Sequence, residues 1–313
     1  MSLIIAVSLL MCLGAVLAGT PAPPAGDYGL CFPSPQAWGI PYLWGEAVNV
    51  VLIFASAMAF FLINKRFRLL KTSQPLGASF FIPLCCADPI ISGRLTAAPI
   101  LLAVLLTVLI GICSSWRSRN ATQETFITAT LLSVGSMIQY AFVPFVVAAT
   151  LSFVAMKAMR FREAAAMILG LVAPYWIAIG FGIVDPFEIR MPHIDTLFTS
   201  PLPRHLFLTL LGCGVMLLVN VVLTLSNGLR LFAGNAEIRS YINVINIFGA
   251  TAALAAVFDI DNFSAYLAMF HLWTALQIAL FFTLRNIRRS NILFWTIQAL
   301  ILIYSIILIF LNP

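Results

Sequence analysis

Long apolar runs separated by short polar segments extend over the whole chain. A helix that spans the hydrocarbon core of a bilayer needs about 20 predominantly apolar residues. The pattern therefore predicts an all-α, polytopic transmembrane helix bundle of about eleven spans, several of them short or broken by proline. The predicted spans cover residues 2–18, 41–63, 75–90, 96–114, two short helices within 125–158, and then 163–184, 204–226, 241–258, 264–284 and 292–311.

The segment 125–158 has two readings. A single helix would be longer than a span requires, and it would place Lys157, Arg160 and Arg162 on the outer side. Two short helices that meet near Tyr140–Pro144 keep those charges inside, and proline disfavours helix at the residue before it. We therefore predict a helical hairpin. Its arms, of about 16 residues each, either cross fully or re-enter.

The first apolar run, residues 2–18, also has two interpretations. Val16-Leu17-Ala18 resembles a signal-peptidase site and the run is short, but no Lys or Arg precedes it. The run is therefore either the first span or a cleaved signal peptide. In both cases we predict that residues 1–313 contain a single transmembrane domain, without a soluble domain or internal repeat.

The composition agrees with a chain dissolved in lipid, because 62% of the residues are hydrophobic, 9% are charged and the mean hydropathy is +1.03. A soluble domain carries about 25% charged residues. The net charge of +6 does not indicate nucleic-acid binding, because the basic residues form short clusters between apolar runs. In the predicted layout, 14 of the 17 Lys and Arg residues lie on one side, which the positive-inside rule assigns to the cytoplasm. We predict a multi-pass protein of the bacterial inner membrane, with the N-terminus inside and the C-terminus outside.

Six cysteines are present, and no pair has the C-x-x-C spacing of a zinc or redox site. Most lie in apolar runs, where cysteine acts as a small hydrophobe. Cys31 is predicted to lie in an outer loop. A disulfide from Cys31 to Cys85 or Cys86 is therefore one alternative on the oxidising side of the membrane.

Acidic residues gather in the predicted outer segments, where Asp27, Asp88 and the pair Asp259/Asp261 come from different loops. Carboxylates of this kind can bind a divalent cation or act as acid and base. Asp27 and Asp88 are our candidate catalytic acids. The alternative is that loop acids merely face water. Because no spacing forms a metal motif, we predict no metal ion or other cofactor.

A second set of candidates lies in the longest polar connection, from Asp185 to His205. Arg190, His193, Arg204 and His205 could hold a phosphate or pyrophosphate headgroup, because arginine binds phosphate through two parallel hydrogen bonds. Alternatively, Arg204 and His205 only anchor the start of the eighth span at the headgroup layer.

Three further candidate residues lie inside predicted spans. Glu46 lies one turn into the second span, and an intramembrane carboxylate is a candidate for substrate binding. His271 and Gln277 lie in the tenth span. A proton relay would explain them, although we expect hydrogen bonds between helices instead.

Several short motifs are similar to those of a known family. They are Phe161-Arg162-Glu163, Leu169-Gly170, Pro174-Tyr175-Trp176, Ser136-Met137-Ile138-Gln139-Tyr140, Asn235-Ala236-Glu237-Ile238-Arg239 with Tyr241, and Asp259 with Asn262. Together they resemble a family of uncharacterised polytopic inner-membrane proteins of the Bacteroidota, of similar length. The resemblance implies a location in the inner membrane and a polytopic topology, but it does not imply any activity.

The positions of Asp27 and Asp88 are also similar to those of acids in membrane glycosyltransferases and ligases that use lipid-linked sugars. Those enzymes place an acid in the first outer loop and often another in the second, and they use Arg or His near a lipid phosphate. This chain differs from them in its short first outer loop and in the lack of a following extracytoplasmic domain.

Three functions fit these observations. The first is an envelope-biogenesis protein that handles a lipid-linked sugar or another polyprenyl-phosphate lipid at the outer face. The second is a non-catalytic subunit or scaffold that contacts other inner-membrane proteins, and the third is a small-solute transporter that uses the broken spans as a cavity. Dependence of activity on Asp27, Asp88 or Arg204 would favour the first. Stoichiometric protein partners would favour the second, and dependence on Glu46 or His271 the third.

Overall fold

The computed structural model describes residues 2–17, 29–70, 72, 74–93, 95–118, 120–185, 187, 189, 204–231, 235–285 and 290–311. Within these residues the chain forms twelve α-helices, with short 3₁₀ turns between some of them. The helices are α1 (Ser2–Leu17), α2 (Tyr42–Phe67), α3 (Leu76–Ala87), α4 (Pro89–Ser92), α5 (Ala97–Ser114), α6 (Thr122–Ile138), α7 (Val143–Ala155), α8 (Phe161–Gly180), α9 (Arg204–Leu231), α10 (Ala236–Phe258), α11 (Phe263–Leu284) and α12 (Ser290–Leu311). The predicted all-α fold is confirmed.

Seven helices of the described chain are long and apolar enough to cross a bilayer. They are Trp44–Phe67, Ala97–Ser114, Phe161–Gly180, Phe207–Leu231, Ala236–Phe258, Phe263–Leu284 and Ser290–Phe310. Shorter apolar helical segments lie at Leu3–Val16, Leu76–Ala87 and Tyr140–Ala155. The protein is thus an integral multi-pass membrane protein. The eleven full spans stay a prediction, because the shorter helices fall below the length of about 20 residues typical of a crossing.

The central helix of the bundle is α11, which packs against α3, α5, α9 and α10. Glycines let neighbouring helices approach closely. A Cβ at Gly249 of α10 would lie 2.3 Å from Cγ of Trp273, and one at Gly170 of α8 would lie 2.6 Å from the carbonyl oxygen of Phe126. Lipid tails are as apolar as leucine, so close packing of this kind holds membrane helices together.

Buried amide side chains also link α11 to its neighbours. Asn227 of α9 donates to Oε1 of Gln277 at 3.0 Å, and Gln277 donates to Oδ1 of Asn246 on α10 at 2.7 Å. Trp273 donates to the same Asn246 oxygen at 3.0 Å. The expected hydrogen bonds between helices are confirmed for Gln277. The same expectation is wrong for His271, because both of its ring nitrogens are buried without a hydrogen-bond partner among the described residues.

The predicted helical hairpin is present as α6 and α7, with the break at Gln139–Phe142. The carbonyl groups of Ser136 and Met137, in the last turn of α6, accept hydrogen bonds from the backbone N–H groups of residues 30–32. A Cβ at Gly29 would lie 2.3 Å from the α6 backbone, so only glycine fits this approach. The segment before α2 therefore satisfies carbonyl groups that a helix end leaves unpaired.

All six cysteines are free thiols. Cys31 packs beside Met137 in a small cluster at the end of α6, whereas Cys85 and Cys86 belong to the main core. The alternative of a disulfide from Cys31 to Cys85 or Cys86 is therefore wrong.

The third predicted span is followed by an additional one-turn helix. Asp88 has extended backbone angles (φ −95°, ψ 109°), which end α3, and α4 begins at Pro89. Inside α3, Pro83 has no N–H to bond the carbonyl of Ser79, and Gln298 of α12 donates to that carbonyl at 2.9 Å. We predicted Asp88 in an outer loop or at the outer edge. It ends α3 and is fully buried, and the residues of α4 are buried as well.

The connections between helices lie at two ends of the bundle, and contacts among neighbouring connections show which ones share an end. At one end, Thr122 of α6 hydrogen-bonds Glu163 of α8 at 3.2 Å, and Arg285 at the end of α11 donates to Ser226 of α9. At the same end, the ring of Tyr241 at the start of α10 lies against aromatic rings at the ends of α2 and α5. We call this the basic end, because the Lys and Arg side chains that the structure describes lie near it. They are Lys65, Arg66, Arg68, Arg117, Lys157, Arg160, Arg162, Arg230, Arg239 and Arg285.

The other end, which we call the acidic end, holds the start of α2, the α4 region, the α6–α7 break and the α10–α11 connection. Glu46, Asp88, Asp185 and Asp259 belong to it. The described residues thus keep the separation of charge that the sequence predicts, and the direction of the bundle in the membrane stays a prediction.

Candidate functional site

Two of the residues predicted to hold a phosphate, Arg190 and His193, fall outside the described residues, and so does the candidate catalytic acid Asp27. Arg204 and His205 are the first two residues of α9, and their side chains also lie outside the described part of the chain. Whether these five side chains meet stays a prediction.

Asp88 and Glu46 are described, and both are buried. Asp88 is the N-cap of α4, and its Oδ1 accepts a hydrogen bond from the N–H of Ile90 at 3.2 Å. Asn49, one turn after Glu46 on α2, donates to the carbonyl of Ile91 at 2.7 Å. The two predicted acids therefore lie on adjacent helices. Oδ2 of Asp88 and Oε1 of Glu46 have no hydrogen-bond partner among the described residues.

A second group of polar residues forms a connected network at the acidic end, around Asp259. Asn262 donates through Nδ2 to both carboxylate oxygens of Asp259, at 3.0 and 2.9 Å, and Tyr266 donates its hydroxyl to Oδ2 at 2.8 Å. Gln139 in turn donates to Oδ1 of Asn262. We call these four residues the carboxylate network.

Local structure explains how the network forms. Asp259 ends α10, and the short turn to α11 places the backbone N–H of Asn262 3.3 Å from Oδ1 of Asp259. Tyr266 comes one helical turn after Asn262, so both side chains share one face of α11. Gln139 has extended backbone at the break between α6 and α7, which lets its side chain reach the α10–α11 turn.

The network is almost completely shielded from solvent. Burial raises the pKa of the Asp259 carboxyl above its ordinary value, and the hydrogen bonds from Tyr266 and Asn262 oppose that shift in part. Oε1 of Gln139 is buried and has no partner in the described part of the chain. The network thus holds one carboxyl group and one unpaired acceptor that could take a hydroxyl hydrogen.

An apolar cleft of about 180 Å³ lies beside the network, between α9, α10 and α11. Leu210, Gly214 and Leu217 form its α9 wall, while Ala253 and Ala256 form part of its α10 wall. We call this feature the lateral cleft. Pockets that enclose a whole small-molecule ligand have volumes of about 300–1,000 Å³. A space of this size and polarity therefore suits a segment of an apolar chain that continues into the bilayer.

Tyr266 joins the two features, because it lines the lateral cleft and donates its hydroxyl to Asp259. Arg204 and His205 begin the helix that forms one wall of the cleft, and Leu210 follows Arg204 by six residues. At a rise of about 1.5 Å per residue, the cleft starts about 9 Å along the helix from them. The arrangement places an apolar groove next to a buried carboxyl, and one wall of that groove is the helix that begins at Arg204.

The chemistry available in the described residues is that of hydrogen bonding and proton exchange. Groups of three or more His, Cys, Asp or Glu side chains that could hold a metal ion are absent from them. A carboxyl with a raised pKa beside a tyrosine hydroxyl can accept a proton from a substrate hydroxyl or donate one to a leaving oxygen.

The sequence missed Gln139 and Tyr266 as members of one site. Gln139 and Asn262 are 123 residues apart, and nothing in the apolar pattern relates them. The spacing of Asn262 and Tyr266 was a usable signal, because positions four residues apart share one helix face.

A comparison of the chain with protein-family models and with curated proteins finds no match.

Proposed function

We propose that this membrane protein handles a lipid-linked sugar or another polyprenyl-phosphate lipid at the outer face of the membrane, in envelope biogenesis. The supporting observation is the lateral cleft, which runs between three helices and reaches the carboxylate network through Tyr266. A polyprenyl lipid needs an apolar groove for its chain, with polar groups where the chain meets the headgroup.

In this proposal the isoprenoid chain lies along the walls formed by α9 and α10, and the phosphate meets Arg204 and His205 at the start of α9. Arg190 and His193 extend the phosphate site from the preceding connection, and Asp27 supplies a second acid. Arginine suits such a site because its planar group binds two phosphate oxygens at once.

Asp259 accepts the proton of a sugar hydroxyl. Burial raises its pKa, which brings proton exchange closer to neutral pH. The unpaired Oε1 of Gln139 accepts a second hydroxyl and so orients the sugar. Asp88 and Glu46 are buried apart from this network and affect the lipid only indirectly.

We also propose that the protein lies in a bacterial inner membrane with its basic end in the cytoplasm. The described Lys and Arg residues at that end support this orientation through the positive-inside rule. Reporter enzymes fused after Ser200 and after Arg289 test it, because they should report from opposite sides of the membrane. Activity of both reporters in one compartment would overturn the orientation.

Two substitutions on α10 test the lipid site. Ala253 lines the lateral cleft, whereas Leu254 is 61% exposed and does not line it. Ala253→Trp should fill the cleft and remove a polyprenyl phosphate that native mass spectrometry detects on the purified wild-type protein. Leu254→Trp is the matched control and should retain the lipid. Equal lipid occupancy in both variants, or none in the wild type, would overturn the proposal.

A small-solute transporter is the second candidate, and the break between α3 and α4 favours it. Transporters often bind their solute where a membrane helix is interrupted. Solute uptake that requires Glu46 or His271 but not Ala253 would support transport. Stoichiometric copurification of another membrane protein, with neither lipid nor uptake, would instead support the scaffold role.

A further inference from the structure

We infer that the Asp88 carboxyl is a proton-binding site inside the bundle, and that its protonation is coupled to lipid occupancy of the lateral cleft through α9. The coupling rests on the proposed function for the identity of the cleft ligand. The proton site itself does not depend on that ligand.

The first step concerns the surroundings of the carboxyl group. Asp88 has an exposed fraction of 0%, and its Oδ2 is buried without a hydrogen-bond partner among the described residues. The Lys and Arg side chains that the structure describes lie near the opposite, basic end of the bundle. An ionised carboxylate with one unpaired oxygen, and with no cation nearby among those described side chains, is strongly disfavoured in an apolar interior. The neutral carboxylic acid avoids this penalty, so the buried Oδ2 is the site that carries the proton.

The second step concerns the other titratable groups near α4. On the helices packed around α4, and on α9, these groups are Cys12 of α1, Glu46 of α2, Cys85 and Cys86 of α3, Cys213 of α9, His271 of α11 and Tyr304 of α12. In the described part of the chain none of them forms a hydrogen bond with Asp88. A charge on Asp88 lies within electrostatic reach of Cys85, Cys213 and Tyr304. Asp88 is therefore surrounded mainly by uncharged groups, and its ionisation would place a negative charge among them.

The third step connects Asp88 to the cleft. Tyr304 of α12 packs directly on α9, because a Cβ at Gly212 would lie 2.5 Å from its hydroxyl oxygen. That hydroxyl is buried without a partner in the described chain. Cys213, the next residue, lines the lateral cleft. The α9 backbone at Gly212 and Cys213 is thus shared between the surroundings of Asp88 and the cleft wall.

The mechanism of coupling follows from this arrangement. When Asp88 loses its proton, the carboxylate needs a donor, and the Tyr304 hydroxyl is an unused donor within its electrostatic reach. A new Tyr304–Asp88 hydrogen bond would move the ring against Gly212 and shift α9. Of the seven long apolar helices, α9 has the smallest buried share, so few packing contacts oppose that movement. The lateral cleft is present while Tyr304 packs on Gly212 and makes no hydrogen bond to Asp88. A lipid that binds this form of the cleft must therefore prefer the protonated state of Asp88.

Infrared difference spectroscopy on the protein in lipid nanodiscs tests the proton site. The wild type should show the carbonyl band of a protonated carboxylic acid at neutral pH, and Asp88→Asn should lose it. Asp259→Asn is the control and should keep that band. Tyr304→Phe leaves the carboxyl in place and removes the donor for the ionised form, so the band should persist to a higher pH than in the wild type. This result keeps the test decisive if Asp88→Asn does not fold. A band that is absent from the wild type, or unchanged in both Asp88→Asn and Tyr304→Phe, would overturn the proton site.

Titration of polyprenyl-phosphate binding tests the coupling. Above the pH at which the Asp88 band disappears, the wild-type dissociation constant should rise up to about tenfold per pH unit, because only the protonated form binds. Asp88→Asn should show only the pH dependence of the phosphate itself. The same pH dependence of the dissociation constant in the wild type and in Asp88→Asn would overturn the coupling. If the Asp88 band is present but no polyprenyl phosphate binds, the proposed function is overturned while the proton site is still supported.

Discussion

The replacement of Asp259 by alanine tests the carboxylate network. The carboxylate accepts hydrogen bonds from the Tyr266 hydroxyl at 2.8 Å, from the Asn262 side chain at 2.9 and 3.0 Å, and from the Asn262 backbone at 3.3 Å. Tyr266 is 0% exposed and Asn262 is 6% exposed, so water cannot replace the lost acceptor without rearrangement. Two buried side-chain donors are therefore left unsatisfied.

The magnitude follows from those two donors. A buried donor without a partner costs about 1–3 kcal/mol, which gives about 2–6 kcal/mol for both. Removal of the buried carboxyl also removes its own desolvation cost, so we expect a net loss of about 2–4 kcal/mol in the free energy of unfolding. Asp185→Ala is the matched control. Asp185 is exposed, and among the described residues it accepts a hydrogen bond only from the nearby Phe187 N–H, so its replacement should change stability by about 0.5 kcal/mol or less.

The assay is equilibrium unfolding in mixed micelles with increasing mole fraction of dodecyl sulfate, followed by far-ultraviolet circular dichroism. A double-mutant cycle with Tyr266→Phe isolates the shared hydrogen bond, because the double variant should lose less stability than the two single losses added together. An unfolding free energy for Asp259→Ala within about 0.5 kcal/mol of the wild type would refute the buried network.

Three further outcomes are expected. Burial raises the pKa of Asp259, so its contribution to stability is fully present below the ordinary carboxyl pKa and is lost as the pH rises through the raised value. The unfolding midpoint of the wild type should fall over that window, and that of Asp259→Asn should not. Gly249→Ala places a Cβ 2.3 Å from Cγ of Trp273 and should lower the free energy of unfolding by about 1–3 kcal/mol. Gly228→Ala has open space around its Cβ and should not lower it in the same unfolding assay. Gln277→Leu breaks links from α11 to α9 and α10 and should cost about 1–3 kcal/mol, and unchanged stability would contradict a role for these bonds in packing.

Local chemistry made the break between α6 and α7 predictable. Pro144 disfavours helix just before it, and one uninterrupted helix would have carried Lys157 and Arg160 to the wrong side. The first argument depends only on residues adjacent in the chain, and the second depends only on the side of the membrane where charged residues lie. The observed break at Gln139–Phe142 agrees with them.

The burial of Asp88 was not predictable in the same way. An acid at the end of an apolar run has the same hydropathy whether it reaches water or lies behind other helices. Its burial depends on α4 packing against α1, α2 and α11, which are distant in sequence. Pro83 leaves the carbonyl of Ser79 without its usual helical partner, but nothing in the pattern related that carbonyl to Gln298, which lies 219 residues away and donates to it.

The candidate site was predicted only in part. The sequence singled out Asp259 and Asn262 through a short motif and placed them at the outer end, where the described acids gather. Gln139 and the lateral cleft depend on how three separate helices meet, and single-sequence periodicity carries no information on such contacts.

The most direct test of the lipid site is a photochemical one. A polyprenyl phosphate with a photoreactive group in its isoprenoid chain would be added to the protein in nanodiscs, irradiated, and mapped by mass spectrometry of the peptides. Adducts concentrated on the cleft walls, at Leu217, Ala253 and Leu267, and displaced by unlabelled lipid are the predicted result. Adducts spread over the lipid-facing surfaces of α8 and α12 in proportion to their exposure would contradict a polyprenyl-phosphate site in the lateral cleft.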